Sequence, residues 1–273
     1  MAVSRPLAVA LLFITALLWS LGGALVKWVQ LPPLSIAGYR SAIAFFVLLA
    51  FFSRRCLDFS RTQIIGSLFY SATVILFVCA TKFTTAGNAI LLQYTSLVYV
   101  ALLSGWLLQE KIRWSDWAAI VAVLAGMTFF FLDTLSPEGW LGNILAAITG
   151  LSFACLIVFL RKQKEASPAG SVVLGNFITA LICLPWMVRA IPQGGGDWAG
   201  IFLLGVFQLG LSYVLYTIAI RRVTAIEGVL IPVIEPIFNP LWAFLFVGES
   251  MGKWALVGGV IVISAALSRS FKR

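Results

Sequence analysis

The chain has 273 residues, 61% of them hydrophobic and 11% charged, with a mean hydropathy of +1.03. Soluble domains hold about 45–50% apolar and about 25% charged residues, so a water-soluble fold is excluded. The formal net charge is +9, but the basic residues lie scattered between apolar runs, which excludes a nucleic-acid footprint. Histidine is absent, which removes the commonest metal ligand and acid–base catalyst.

Ten apolar runs follow one another: Pro6–Val29, Ser35–Phe52, Gln63–Ala80, Ala86–Leu108, Ser115–Leu132, Gly139–Leu160, Gly170–Val188, Trp198–Ile220, Ala225–Val247 and Lys253–Leu267. A spanning helix needs about 20 residues and a membrane strand about 9–11. These lengths predict an all-α integral membrane protein of ten transmembrane helices joined by short loops. The breaks carry turn formers, as at Pro32-Pro33, Ser136-Pro137, Ser167-Pro168 and Gly194-Gly195-Gly196. The first run follows a single Arg5 and is too long for a signal-peptide core, so it reads as a retained helix. Cys56, Cys79, Cys155 and Cys183 lack any C-x-x-C spacing and read as buried free thiols.

Basic residues set the expected orientation. Arg5, Arg54, Arg55, Arg61, Lys111, Arg113, Arg161, Lys162, Lys164, Arg221, Arg222, Arg269, Lys272 and Arg273 fall on one side of the ten runs. Only Lys27, Lys82, Arg189 and Lys253 fall on the other. The excess places both termini in the cytoplasm. Trp28, Trp114, Trp117, Trp140, Trp186, Trp198 and Trp254 sit near helix ends as interfacial anchors, whereas Trp19 is mid-run.

The two halves resemble each other. Ala80–Glu110 slides onto Ala219–Glu249 at a shift of 139, matching Thr85 with Thr224, Ala86 with Ala225, Leu91 with Leu230 and Lys82 with Arg221. Ile14-Thr15-Ala16-Leu17 echoes Ile148-Thr149-Gly150-Leu151 at a shift of 134. A duplicated five-helix unit follows, with halves 1–134 and 135–273. Five is odd, so the second copy crosses the membrane in the opposite sense. Such inverted repeats belong to secondary transporters, which bind substrate near the midplane between the halves.

With Gln109-Glu110 and Gly248-Glu249 closing the fourth and ninth helices, and Leu230-Ile231-Pro232 followed by Glu235-Pro236 in the ninth, the chain resembles the EamA family of the drug/metabolite transporter superfamily. The resemblance covers nearly the whole chain. It implies an exporter or exchanger of small metabolites, with amino-acid exporters of the YddG type as the nearest branch. The first half carries Gln93 and Leu97 where the second carries Pro232 and Pro236. Four-helix multidrug relatives use a glutamate in their first helix, and none stands there in this chain.

Ionisable groups deep in a bilayer are costly and mark function. Glu235 is the clearest, about ten residues and so about 15 Å into its helix. Pro232, Pro236 and Pro240 recur around it, each removing a backbone donor, so that helix is expected to kink and to serve in gating. Asn239 shares the Glu235 face. The fourth helix offers Gln93, Ser96 and Tyr99, the eighth Gln208, Ser212 and Tyr216, the third Tyr70, Thr73 and Phe77, and the first Trp19. Together these are expected to line one mostly apolar cavity, although any single Ser, Thr or Gln serves equally as an interhelical hydrogen bond. Arg40 lies near the outer end of its helix and is expected to snorkel. Glu110 and Glu249 are expected to cap turns, and Glu227 to sit at a helix N-terminus that favours an anion.

Three classes of function compete. An enzyme wants converging nucleophile, base or metal ligands, and one deep carboxyl without histidine offers little. A paired-filter pore wants a second motif opposite Asn239-Pro240, and Val100-Ala101 stands there. No P-loop pattern couples the chain to ATP. The expectation is a multi-pass secondary transporter of the bacterial inner membrane, working by alternating access as a monomer without cofactor or nucleic acid. Its cargo is expected to be amino acids, aromatic and hydrophobic ones included. Proton-coupled efflux of other small metabolites or drugs is the alternative, with a passive pore beyond it.

Overall fold

A computed structural model describes residues 3–131, 139–238 and 253–270, and all regular structure among them is helical. The elements are α1 (Arg5–Trp19), α2 (Gly22–Trp28), α3 (Pro33–Phe52), α4 (Arg61–Phe83), α5 (Ala86–Gln93), α6 (Ser96–Leu107), α7 (Trp114–Phe131), α8 (Trp140–Lys162) and α9 (Pro168–Arg189), then α10 (Gly194–Leu203), a π-helical stretch over Leu204–Leu211, α11 (Ser212–Ala219), α12 (Ala225–Leu230) and α13 (Lys253–Ser270). Among the described residues seven continuous or nearly continuous helices are long and apolar enough to cross a membrane, from Arg5–Trp28 to Gly194–Ala219.

The starts follow local chemistry. Ser4, Ser60, Thr85 and Thr224 are N-caps whose hydroxyls accept from the backbone N–H three residues on. Thr224 and Glu227 complete a reciprocal capping box, so Glu227 does occupy a helix N-terminus, where it also pairs with Arg5 at 2.8 Å. Pro6, Pro33 and Pro168 stand in first turns, where the missing N–H costs nothing.

The core gathers around α4, which packs on α8 and α9, while α3 packs on α9, α1 on α11, and α13 on α7. Gly126 of α7 lets α13 approach closely, since a Cβ there would lie 3.1 Å from the Gly258 carbonyl. The outward surface is apolar: Phe46, Phe51, Leu102, Val121, Leu181 and Val260 are all more than half exposed, which suits contact with lipid rather than water. Trp28, Trp114, Trp140, Trp186, Trp198 and Trp254 are exposed at helix ends. All four cysteines are free, but only Cys56 and Cys183 are buried, so the expectation of four buried thiols is corrected for Cys79 and Cys155. Cys56 lies in a short turn between α3 and α4, where burial pushes its thiol up and keeps it unreactive.

Basic side chains clasp helix ends in pairs. Lys27 donates to the Thr84 carbonyl at 2.9 Å, and Lys82 donates to the Val29 carbonyl at 2.8 Å. In the second half Arg161 donates to the Ile220 and Arg221 carbonyls at 3.1 and 3.0 Å, while Arg221 donates to the Lys164 carbonyl at 2.8 Å. Arg161 corresponds to Lys27 at the shift of 134, and Arg221 to Lys82 at 139. Each cation meets the partially negative carbonyl end of the other's helix, so one clasp is built twice from equivalent positions.

Candidate functional site

Four apolar runs are interrupted, and all four bring residues to one buried cavity. The first run bends at Ser20-Leu21, between α1 and α2. The fourth breaks at Tyr94-Thr95, between α5 and α6, where Thr95, Leu97 and Val98 take backbone bonds from three residues back instead of four. The ninth leaves α-helical bonding at Ile231, passes through a 3-10 turn over Pro232–Ile234 and resumes over 235–238. At the shift of 139, Tyr94-Thr95 falls on Val233-Ile234, so the breaks occupy equivalent places although only the second carries prolines. Gly150 of α8, in the second half, makes the break of the first half possible to pack. A Cβ there would lie 2.8 Å from Thr95 Oγ1 and 2.9 Å from the Gln93 carbonyl.

The eighth run widens into π-helix over Leu204–Leu211, a feature that recurs at functional sites. It carries Gln208 and Leu209 to the cavity, whose other lining residues are Trp19, Arg40, Thr73, Val74, Phe77, Gln93, Phe153, Tyr213 and Glu235. The space is about 40 Å³. That admits a few waters and is far below the about 300–1,000 Å³ of ligand pockets, so the halves are drawn together around the site.

Aromatic rings form one wall. Trp19 lies 5.2 Å from Tyr216, 5.3 Å from Tyr213 and 5.8 Å from Phe153, ring centre to ring centre, and Tyr70 meets Tyr213 edge-on at 4.9 Å. The polar ends of three of these rings are tied: Trp19 Nε1 donates to Ser212 Oγ at 3.0 Å, Tyr216 donates to the Gly228 carbonyl at 3.1 Å, and Tyr70 accepts from Asn176 Nδ2 at 2.8 Å. The wall is therefore fixed.

The polar groups include one acidic and one basic side chain. Glu235 is 7% exposed, and its carboxylate accepts from the Tyr94 hydroxyl at 2.8 Å. This bond runs from one interrupted helix to the other. Arg40 is 1% exposed, which corrects the expectation that it snorkels. Pro33 starts α3, so Arg40 stands two turns inside, too deep to reach an interface. Its guanidinium donates to Gln208 Oε1 at 3.2 Å and to the Val74 carbonyl at 3.0 Å, and its Nε has no partner. Gln93 Oε1 is likewise buried without a partner. Among the described residues the ion pairs are Arg5–Glu227 and Arg161–Glu110, so Arg40 and Glu235 are not paired with each other.

Of the expected residues, Trp19, Thr73, Phe77, Gln93, Gln208 and Glu235 line the cavity. Tyr70, Ser212 and Tyr216 stand behind its wall as packing and hydrogen-bond partners. Ser96 is buried and Tyr99 half-buried, and neither reaches the lining. The break explains this: a continuous helix would align 93, 96 and 99, whereas the tightened turn at Tyr94-Thr95 changes the phase and brings Tyr94 to Glu235 instead. Pro232 and Pro236 flank the ninth-run turn; Asn239, Pro240 and Glu249 lie outside the described residues. Arg40, Val74, Phe153, Leu209 and Tyr213 line the cavity without having been expected there, and Tyr94, behind the lining, is the unexpected partner of Glu235. A charge seven residues into an apolar helix was the available signal for Arg40; none marked Tyr94.

Comparison with known proteins gives a consistent setting. The model of the EamA-like transporter family matches residues 6–132 and again 140–270. An uncharacterized transporter of Archaeoglobus fulgidus is 25% identical over 259 residues, covering 94% of each chain. The threonine/homoserine exporter RhtA of Escherichia coli is 26% identical over 260 residues, covering 91% of this chain and 84% of its own. One crystal structure matches with a TM-score of 0.82 at 19% identity, covering 96% of each chain, a likeness of fold alone.

Proposed function

Because this chain belongs to the EamA-like transporter family, we propose that it moves small metabolites, amino acids first among them, through the cavity bounded by Trp19, Arg40 and Glu235. It is a membrane transporter and not an enzyme. In this reading ten helices form two inverted five-helix repeats, 1–134 and 135–273, with both termini cytoplasmic in a bacterial inner membrane. The protein acts as a monomer that exports or exchanges its cargo by alternating access. The observation that carries the reading is the Tyr94–Glu235 hydrogen bond, which ties the two interrupted helices together at a buried cavity too small for cargo. A site of that volume admits a metabolite only if the halves part, and the interruptions are where such a fold yields. RhtA is named an exporter of threonine and homoserine, which supports amino acids as cargo.

The test is uptake of a labelled amino-acid panel into proteoliposomes, with and without an imposed proton gradient. Saturable uptake of at least one amino acid is expected. Glu235→Gln is expected to lower it tenfold or more, and Glu235→Lys further still, because that change puts a second basic group in the cavity that Arg40 lines. Undiminished uptake by Glu235→Gln at every pH makes Glu235 structural. Absence of uptake across the panel removes amino acids as the cargo.

A further inference from the structure

Among the described residues the lining holds one basic and one acidic side chain, each buried and each hydrogen-bonded only to neutral groups. Arg40 sees the Gln208 amide oxygen and a backbone carbonyl; Glu235 sees a tyrosine hydroxyl and no cation among the described residues. A buried guanidinium without a counter-charge is expensive, and placing Arg40 against Glu235 would relieve both. The fold keeps them apart, with Arg40 on α3 and Glu235 on the interrupted ninth helix. A basic and an acidic side chain that line one small space, and are not paired with each other, are complementary to a ligand that carries both signs itself.

We propose that the cavity is a zwitterion clamp: Arg40 takes the α-carboxylate of an amino acid, and Glu235 takes its α-ammonium. This rests on the cavity being the transport site. Arg40 offers its unpartnered Nε as the first donor, and the fork geometry of guanidinium suits a carboxylate. An ammonium has donors only, and the acceptors turned to the space are Glu235 and the unpartnered Gln93 Oε1. The ammonium competes with the Tyr94 hydroxyl for the Glu235 carboxylate, so cargo loosens the bond that joins the two interrupted helices. The cargo side chain is left to the ring wall of Trp19, Phe77 and Phe153. Selection therefore falls on the charged backbone ends of the cargo, with tolerance toward its side chain.

The experiment is competition against uptake of a labelled amino acid by the full-length protein in proteoliposomes. Three unlabelled competitors differ only at the ends: the free amino acid, its methyl ester and its N-acetyl derivative. The clamp predicts that the ester and the N-acetyl compound each compete at least tenfold more weakly than the free amino acid. Arg40→Gln is expected to abolish discrimination against the ester while retaining discrimination against the N-acetyl compound, and Arg40→Lys to restore part of the former. Should Arg40→Gln fail to fold, the competitor series on the unaltered protein stands alone. An ester or N-acetyl compound competing within twofold of the free amino acid overturns the clamp and leaves amino-acid transport intact. No uptake of any amino acid overturns both.

Discussion

Gln109 closes α6 with a φ of +56°, a left-handed conformation that costs an L-residue about 1–2 kcal/mol. The turn sends Glu110 back to receive the Ala225 N–H at 2.9 Å and the Arg161 guanidinium at 2.9 Å. That geometry gives the Gln109-Glu110 pair a physical meaning, since the position before the glutamate is one that glycine fills without strain. Gln109→Gly is expected to leave stability unchanged or raise it by up to about 1 kcal/mol, because lost strain is offset by glycine's entropy. Gln109→Val is expected to cost about 1 kcal/mol or more, since β-branched residues resist this conformation. Melting in detergent ranks the three, and a valine variant as stable as the glycine one contradicts the strain. At this scale the sequence was legible for Glu235, Gln93 and Trp19, whose burial or charge is unusual within apolar runs. It was misleading for Arg40, whose depth depended on where α3 begins.

The interruptions are where helical periodicity stops being a guide. Prolines announce the break in the ninth run, but nothing comparable announces the one at Tyr94-Thr95, which packing against α8 sustains. Ser96 and Tyr99 were placed on the cavity face by a period that does not continue through that turn. The pair Gly150 and Gly105 tests this. Gly150→Ala puts a Cβ within 2.9 Å of the Gln93 carbonyl, and overpacking of this kind costs about 1–3 kcal/mol. Reduced uptake is expected with it, because Gln93 moves. Gly105, in the exposed face of α6, has nothing closer than 3.9 Å to its added Cβ, so Gly105→Ala is expected to be neutral or stabilising by about 0.5–1 kcal/mol. Equal losses from the two alanines in a thermal melt would contradict a tight seat at the break.

At the scale of the whole molecule, Glu110 ties the first half to the second through Arg161 and the start of α12. Its side chain and that of Arg161 are 16% and 13% exposed, so solvent screens the pair only in part. A charged hydrogen bond of this kind contributes about 1.5–3 kcal/mol. Glu110→Gln is expected to speed hydrogen exchange at the amides of Ala225–Glu227 by about tenfold or more, read by mass spectrometry in detergent. Unchanged exchange would mean that the halves are held there by packing alone. The all-helical architecture and the internal repeat were legible from run lengths and matched residues. The joining of the halves was not, because it is built from contacts between distant residues, Tyr94 with Glu235 and Glu110 with Arg161 and the Ala225 N–H, that leave no pattern in sequence.

The lysine clasp between Lys27 and Lys82, and its arginine counterpart, have a consequence for descent. Both ties of each clasp are completed inside their own half, with no atom borrowed from the other. A free-standing half would therefore keep that helix end fastened without its sister. Descent by duplication thus left each repeat with its own fastening, and contacts such as Glu110–Arg161 are what cross between the two.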